Sequence, residues 1–312
     1  MHIIEPKPGS VFGYFSKDIP PVLTIDSGET VRYQNLFDAS WRYYDAEADD
    51  LVQAEGYDAV RRGHALHGPV YINGAGPGMA LAVEIGPITV MPMGWNRGGG
   101  DFDWELWHRL GVYDEAIDNE AGLIKWRLDR DAETGQNPTG QTVMLDPFLG
   151  VLGMPPPEDG EHPTAPPYWC GGNIDCALLT AGTKLYLPVP VEGGLFVAGD
   201  GHARQADGEV GGTAIEVGIE QVDLTLTLLP EININTPHAK TADAYVTFGF
   251  HESLDEAKYI ALNAMLDHMQ ATYNISRQTA LSLASLVVDL RVTQIVNGVQ
   301  GIHAVLHDDA IS

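Results

Sequence analysis

Along the first two-thirds of the chain, apolar and polar residues alternate with the two-residue period of half-buried strands. VLTIDSGETVRYQN, from Val22, predicts a hairpin with two alternating runs around a Ser27-Gly28 turn. PVYINGAGPGMALAVEIGPITV, from Pro69, predicts two more strands around a Gly-Pro-Gly turn. From about Leu185 strands return in LYLPVPV, GGLFVAGD and TAIEVGIEQVDLTLTLL. In the last of these, Val222, Leu224 and Leu226 alternate with Asp223, Thr225 and Thr227, so one face points inward. Glycines and prolines, 35 and 20 in number, punctuate these runs. A turn signal roughly every eight to twelve residues suits sandwiches and barrels.

Near the C-terminus the period changes. AYVTFGF reads as a strand, and SLDEAKYIALNAMLDHMQATYN as a helix opened by a capping box of Ser253 with Glu256. Ala257, Ile260, Ala261, Ala264 and Met265 fall at helical spacing. SRQTALSLASLVVDL predicts a second helix, and VTQIV and IHAVL close the chain as strands. Between 91 and 145 the pattern weakens and MPMGWNRGGGDFDWELWHRLG is rich in tryptophan. That region reads as an insertion, either a long loop packed down by its aromatics or a lid. The expected division is an N-terminal β part (1–90), the Trp-rich insertion (91–145), a second β part (146–245) and a small α/β unit (246–312). The fold class is mainly β, a sandwich or barrel body with a small α/β C-terminal subdomain.

Composition narrows the function. The 312 residues carry 17 Lys and Arg against 43 Asp and Glu, a net charge of −26. Phosphate contacts need cations, so nucleic acid is not an expected partner, and an anionic membrane surface is disfavoured for the same reason. An acidic, lysine-poor surface favours solubility and would suit high salt. The two cysteines, Cys170 and Cys176, are expected as reduced thiols. MHIIEPKPGS has neither the basic start nor the apolar run of a signal peptide, and no eighteen-residue apolar run occurs, so the expected location is the cytoplasm.

Candidate chemistry concentrates between Tyr168 and Glu216. GGNID holds Asn173 and Asp175; GDGHARQADGE holds Asp200, His202, Gln205, Asp207 and Glu209; GTAIE holds Glu216. Asp200 and His202 are two apart and would share a strand face, as would Asp207 and Glu209. One strand-turn-strand could thus aim four ligating groups at one point, and a divalent cation wants such oxygens and an imidazole. A solvated acidic turn is the plain alternative, but a buried strand rarely carries an acid such as Glu216 without a partner. His64 and His67 could join a site, as could Asp38, although an Asp at a strand end is commonly a turn former. There is no G-x-S-x-G elbow and no P-loop. A Cys176 nucleophile would need His202 as its base, and ranks below a metal role.

These motifs together resemble the acetamidase/formamidase family, which carries GGN-x-D, a Leu-Tyr-Leu-Pro-Val strand, GD-x-HA-x-QGDGE and G-x-A-x-E. SGETVRYQNLFDAS, GPVYINGAGPGMALAVEI and VTQIVNGVQGIHAVL extend the resemblance over nearly the whole chain, with 91–145 least similar. Ala206, Gly194 and Met79 depart from the family's Gly, Ala and Asp. The resemblance implies metal-dependent hydrolysis of a short linear amide, of formamide or acetamide type, to carboxylate and ammonia. The implied ion is divalent, zinc first, with calcium or manganese as alternatives. Implied metal ligands are Asp38, Asp175, Asp200 and His202; catalytic residues are Glu209, Glu216 and Asn173; Gln205, Asp207 and His67 would contact substrate. A homo-oligomer is implied, a dimer first. Alternatives are a hydrolase of a larger or cyclic amide, with Trp95, Trp104 and Trp107 shaping its pocket, and a non-catalytic metal-holding protein that binds a small ligand.

Overall fold

The computed structural model describes residues 1–101, 103–117 and 122–311. It is mainly β: among the described residues, nineteen strands join one curled sheet, and Arg42–Asp45 pairs with Asp50–Gln53 in a separate ribbon. The strand Glu216–Leu229 is the spine. It pairs antiparallel with Glu29–Leu36 on one side and with the seventeen-residue strand Ala80–Asn96 on the other. Val222, Leu224 and Leu226 are fully buried while Asp223, Thr225 and Thr227 are half-buried, as the alternation predicts. The inner face forms one large core with Tyr33, Leu36, Val83 and Phe196.

Strand pairing departs from the expected hairpins. Leu23–Ile25 pairs in parallel with Leu66–Ile72, while Glu29–Leu36 goes to Glu216–Leu229, so the Ser27-Gly28 turn links two regions of the sheet. Leu66–Ile72 and Ala80–Asn96 likewise find separate partners, Phe196–His202 for the first and Lys184–Pro188 for the second. Alternation marks a buried face without marking the neighbour, and long-range pairing overrides the local turn. The Trp-rich region also begins inside the sheet, because Ala80–Asn96 crosses position 91 and then pairs with Ile124–Asp129.

The C-terminal unit follows the expected order. Helix Leu254–Tyr273 packs on Ala244–His251, burying Ala257, Ala261 and Met265. Gly249 permits this approach, since a Cβ there would collide with the Ala257 carbonyl. The expected capping box is absent: Ser253 makes no side-chain cap bond. The second helix, Arg277–Val287, is the one that is capped, with Thr279 N–H donating to Ser276 Oγ at 3.1 Å. Val288–Gln294 and Gln300–His307 complete the unit against Ala244–His251. Cys170 and Cys176 are buried free thiols. No helix among the described residues is long and apolar enough to cross a membrane.

Candidate functional site

Three strands build the site by register. Phe148–Gly153 and Phe196–His202 run antiparallel with Phe148 opposite His202, and His202 in turn pairs with Glu216. The Phe148 ring meets the His202 ring edge-on at 4.9 Å, fixing the imidazole plane. His202 Nε2 lies 3.3 Å from Asp200 Oδ1 and 3.4 Å from Glu216 Oε2. Gly199 and Gly201 let strands pass closely here; a Cβ on Gly201 would strike the Val217 carbonyl.

Five titratable side chains from three motifs converge: Asp175, Asp200, His202, Glu209 and Glu216, all at 7% exposure or less. Ligand atoms of Asp175, Asp200 and His202 lie within 4.8 Å of one another, as do those of His202, Glu209 and Glu216. Asp175, Asp200 and Glu209 all hold left-handed backbone, with φ of 50°, 59° and 44°. Such a conformation costs about 1–3 kcal/mol in a residue with a side chain and persists only where the surroundings enforce it. Gly150 sits beneath the cluster. A Cβ on it would lie 2.5 Å from both Asp175 Oδ1 and Asp200 Oδ2. Among the described residues, Asn173 Oδ1, Asp175 Oδ1, His202 Nδ1 and Glu209 Oε2 are buried with no hydrogen-bond partner. Buried polar atoms normally have partners, so these are atoms arranged for something else to meet.

The electrostatics follow from crowding acids out of water. Burial, then the Asp200 charge, pushes the Asp175 carboxyl up to about 6. Burial pushes Glu216 up to about 7, with His202 opposing and Asp200 adding. Glu209 rises well above the usual carboxylate range through burial and the charge of Asp175. Burial would raise Asp200 as well, but the adjoining His202 outweighs it and holds that carboxyl below its ordinary value. Burial alone would strip His202 of its proton; Glu216 and Asp200 outweigh it and hold the imidazole well above its ordinary value.

The remaining expected site residues divide. Asn173 lines the cavity above the cluster, with Nδ2 donating to the Ala165 carbonyl at 3.1 Å. Gln205 braces the site, its Nε2 donating to the Asp175 carbonyl at 2.7 Å. Asp38 belongs to neither ligand group, because its oxygens are occupied. Oδ1 accepts from the Ser40 and Arg42 amides at 2.9 and 2.8 Å, and Oδ2 from Trp95 Nε1 at 2.7 Å. It therefore organises the loop that carries Trp41 into the cavity wall. His67 is buried away from the cavity, under the Phe37 ring, and accepts the Phe37 amide on Nε2 at 3.4 Å. Asp207 is exposed and lines a neighbouring hollow, whereas Glu209 is buried and reaches the cluster, so the expected pairing of Asp207 with Glu209 at one point fails: a turn closed by Glu209 N–H to the Ala206 carbonyl interrupts the strand alternation. Of the three tryptophans expected to shape the pocket, Trp95 lines it, while Trp107, under the Arg97 guanidinium, and Trp104, packed on Trp107, stand outside its wall.

Sequence reading missed Gly150 and Asn297. Asn297 lies between the last two strands, and its Nδ2 donates to Asp175 Oδ2 at 2.6 Å. The loop is docked by Ile295 N–H to the Gly208 carbonyl and Gly208 N–H to the Thr293 carbonyl. The C-terminal unit thus closes one wall of the site.

A chain with this sheet and this cluster belongs to the Acetamidase/Formamidase family, whose model matches residues 6–160 and 158–305. It superposes on a solved acetamidase of Bacillus halodurans, with a TM-score of 0.82, 26% identity and coverage of 98% of this chain and 97% of that one. It is 25% identical to a formamidase of Methylophilus methylotrophus over 65% of this chain and 60% of that protein. A Schizosaccharomyces pombe relative is 30% identical over 62% of this chain and 58% of its own length. The chain thus spans about three-fifths of these two relatives.

Proposed function

We propose that this chain is an amidohydrolase that breaks the C–N bond of a small linear carboxamide, releasing carboxylate and ammonia at the cluster of Asp175, Asp200, His202, Glu209 and Glu216. The observation that carries the reading is this buried cluster, with Asp175, Asp200 and Glu209 held in left-handed backbone and with unpartnered polar atoms. The donor set fits a divalent cation. Asp175, Asp200 and His202 would hold it, over the space that Gly150 keeps clear. Mixed oxygen and imidazole donors suit zinc first and manganese next; calcium prefers about six to eight oxygens. When bound, such an ion supplies Lewis acidity to polarise a carbonyl and acidify water.

The chain's own groups do the rest. Glu216, with Oε1 fixed by the Ala214 amide at 2.9 Å, takes the proton of the attacking water on Oε2, since its affinity near pH 7 suits a base. Glu209, whose carboxyl burial and the Asp175 charge raise well above the ordinary carboxylate range, passes its proton to the leaving nitrogen. Asn173, whose Nδ2 is tied to Ala165, presents Oδ1 to accept an N–H of the carboxamide, a contact an ester cannot make. The chain is also read as acting as a homo-oligomer, a dimer first, which a monomer-sized species in sedimentation velocity would reject.

The test is ammonia release from formamide and acetamide before and after exhaustive chelation, with zinc, manganese or calcium restored singly. Loss on chelation and recovery with one ion supports the reading; full activity after chelation removes the ion from it. No release from either amide would favour a larger or cyclic amide or a non-catalytic ligand-binding role. Glu216→Gln should lower turnover by about 100-fold or more while retaining bound metal.

A further inference from the structure

The cavity above the acidic cluster is larger and more basic than a one- or two-carbon amide requires. Its volume is about 430 Å³, within the roughly 300–1,000 Å³ of pockets that take ligands of many heavy atoms. Three of the chain's 17 Lys and Arg residues, Arg61, Arg62 and Arg97, line this one cavity. Burial orders them. The acids are at 7% exposure or less, whereas the Arg61 and Arg62 side chains are 27% and 51% exposed and stand nearer the mouth.

The arginines are positioned rather than loose. Arg97 N–H donates to Thr213 Oγ1 at 3.1 Å, that hydroxyl donates back to the Arg97 carbonyl at 3.2 Å, and the guanidinium lies 5.3 Å over the Trp107 ring. The Arg62 guanidinium lies 4.3 Å over the Tyr14 ring. The carboxylate partners of Arg61 and Arg62 are solvent-facing: Asp58 at 3.6 Å is 91% exposed, and Glu161 at 2.5 Å is 49% exposed, while Arg61 is further anchored by Nη2 donating to the Ala54 carbonyl. Exposed ion pairs of this kind contribute little and exchange readily for another anion.

We infer that the cavity selects amides bearing a second, anionic group: monoamides of dicarboxylic acids, with the carboxamide at the acids and the carboxylate at Arg61, Arg62 and Arg97. The inference rests on the hydrolytic reading above. The orientation follows from charge, because a carboxylate placed among Asp175, Asp200, Glu209 and Glu216 is repelled, while a guanidinium fork matches a carboxylate in two hydrogen bonds. A neutral tail would gain nothing from these cations and would strip water from them. In the reaction the C–N bond breaks and a C–O bond forms to the oxygen of water. Both water protons leave on the nitrogen, giving a dicarboxylate and ammonium.

The experiment uses the full chain with malonamate, succinamate and glutaramate, each against the neutral amide of equal length, by ammonia release, with succinate and glutarate binding measured by calorimetry. For at least one length, kcat/KM for the anionic amide should exceed that for its neutral counterpart by about tenfold or more. The ratio should collapse toward one in Arg97→Gln and fall in Arg62→Gln, the more exposed position, mainly through KM. Dicarboxylate binding should weaken in parallel, and Arg62→Lys should restore part of it. Equal kcat/KM for neutral and anionic amides, with no dicarboxylate binding, overturns the inference and leaves amide hydrolysis standing. Dicarboxylate binding that depends on Arg97, without turnover of any amide, upholds the anion site and overturns the hydrolytic reading.

Discussion

Gly150 shows how much of this site depends on single atoms. Its missing Cβ leaves room between Asp175 Oδ1 and Asp200 Oδ2, and the same Cβ would stand 2.9 Å from the His202 ring. Gly150→Ala should therefore fold, since the new methyl abuts side chains, at a cost of about 1–3 kcal/mol. It should retain less than a tenth of the wild-type metal after dialysis, read by elemental analysis beside a melting curve; full metal content would show that Asp175 and Asp200 do not share an ion. His67 makes a different prediction. Burial lowers its imidazole to about 3 although the Ala198 backbone partly opposes this. The unfolded chain then binds the proton that the folded one refuses, so stability is fully present above about 6.5 and is lost as pH falls toward 3. Wild type should lose about 1.4 kcal/mol per pH unit more than His67→Gln between about pH 6 and 4, read from urea unfolding; parallel curves would reject it. The sequence brings forward Asp175, Asp200, His202, Glu209 and Glu216, the residues of the candidate site, because their types and spacing are chemical. Gly150 and the left-handed backbone of Asp175, Asp200 and Glu209 are invisible there, since neither a lone glycine nor an acidic residue advertises its backbone angles.

At the scale of elements, the site is a product of register. Phe148, His202 and Glu216 stand side by side because three strands pair in that alignment, and a slip of one residue would turn each side chain to the other face. Periodicity supplies the faces of Glu216–Leu229 and of helix Leu254–Tyr273, both borne out in burial. It does not supply partners, which is why the runs around Ser27-Gly28 read as a hairpin although each pairs elsewhere. Asp38, just past the end of Glu29–Leu36, and His67, within Leu66–Ile72, both miss the cluster, one consumed by a turn and the other buried under Phe37. Asn297 lies 122 residues from the Asp175 it holds, so nothing local could announce it. Removing that bond should free Asp175 to turn from its partners. Asn297→Ala is expected to lower kcat by about tenfold or more and weaken metal affinity, while the melting temperature shifts little because the position is on a loop. Unchanged metal affinity in a competition titration would confine Asn297 to supporting its own loop.

At the scale of the whole molecule, the acidic cluster repeats in miniature the imbalance of the chain. A net charge of −26 opposes compaction by self-repulsion, and the sharpest instance is four buried carboxylates facing one imidazole. Without an ion, Asp175, Glu209 and Glu216 limit the repulsion by holding protons above the usual carboxylate range. A divalent cation would replace the protons of Asp175 and Glu216 and be released on unfolding, so it should raise stability by mass action, by about 2.7 kcal/mol at a free concentration one hundred times its dissociation constant. The expected outcome is a melting temperature that drops on chelation and climbs with the logarithm of added ion. Proton release on ion binding should match the protons that Glu216 and Asp175 surrender near neutral pH, and so diminish as the pH is raised past about 7. Sodium chloride at matched ionic strength is the control, because screening of the surface charge also stabilises but saturates without selecting among divalent ions. A melting temperature that follows ionic strength alone would place the effect on the surface and leave the cluster to hold protons in place of metal.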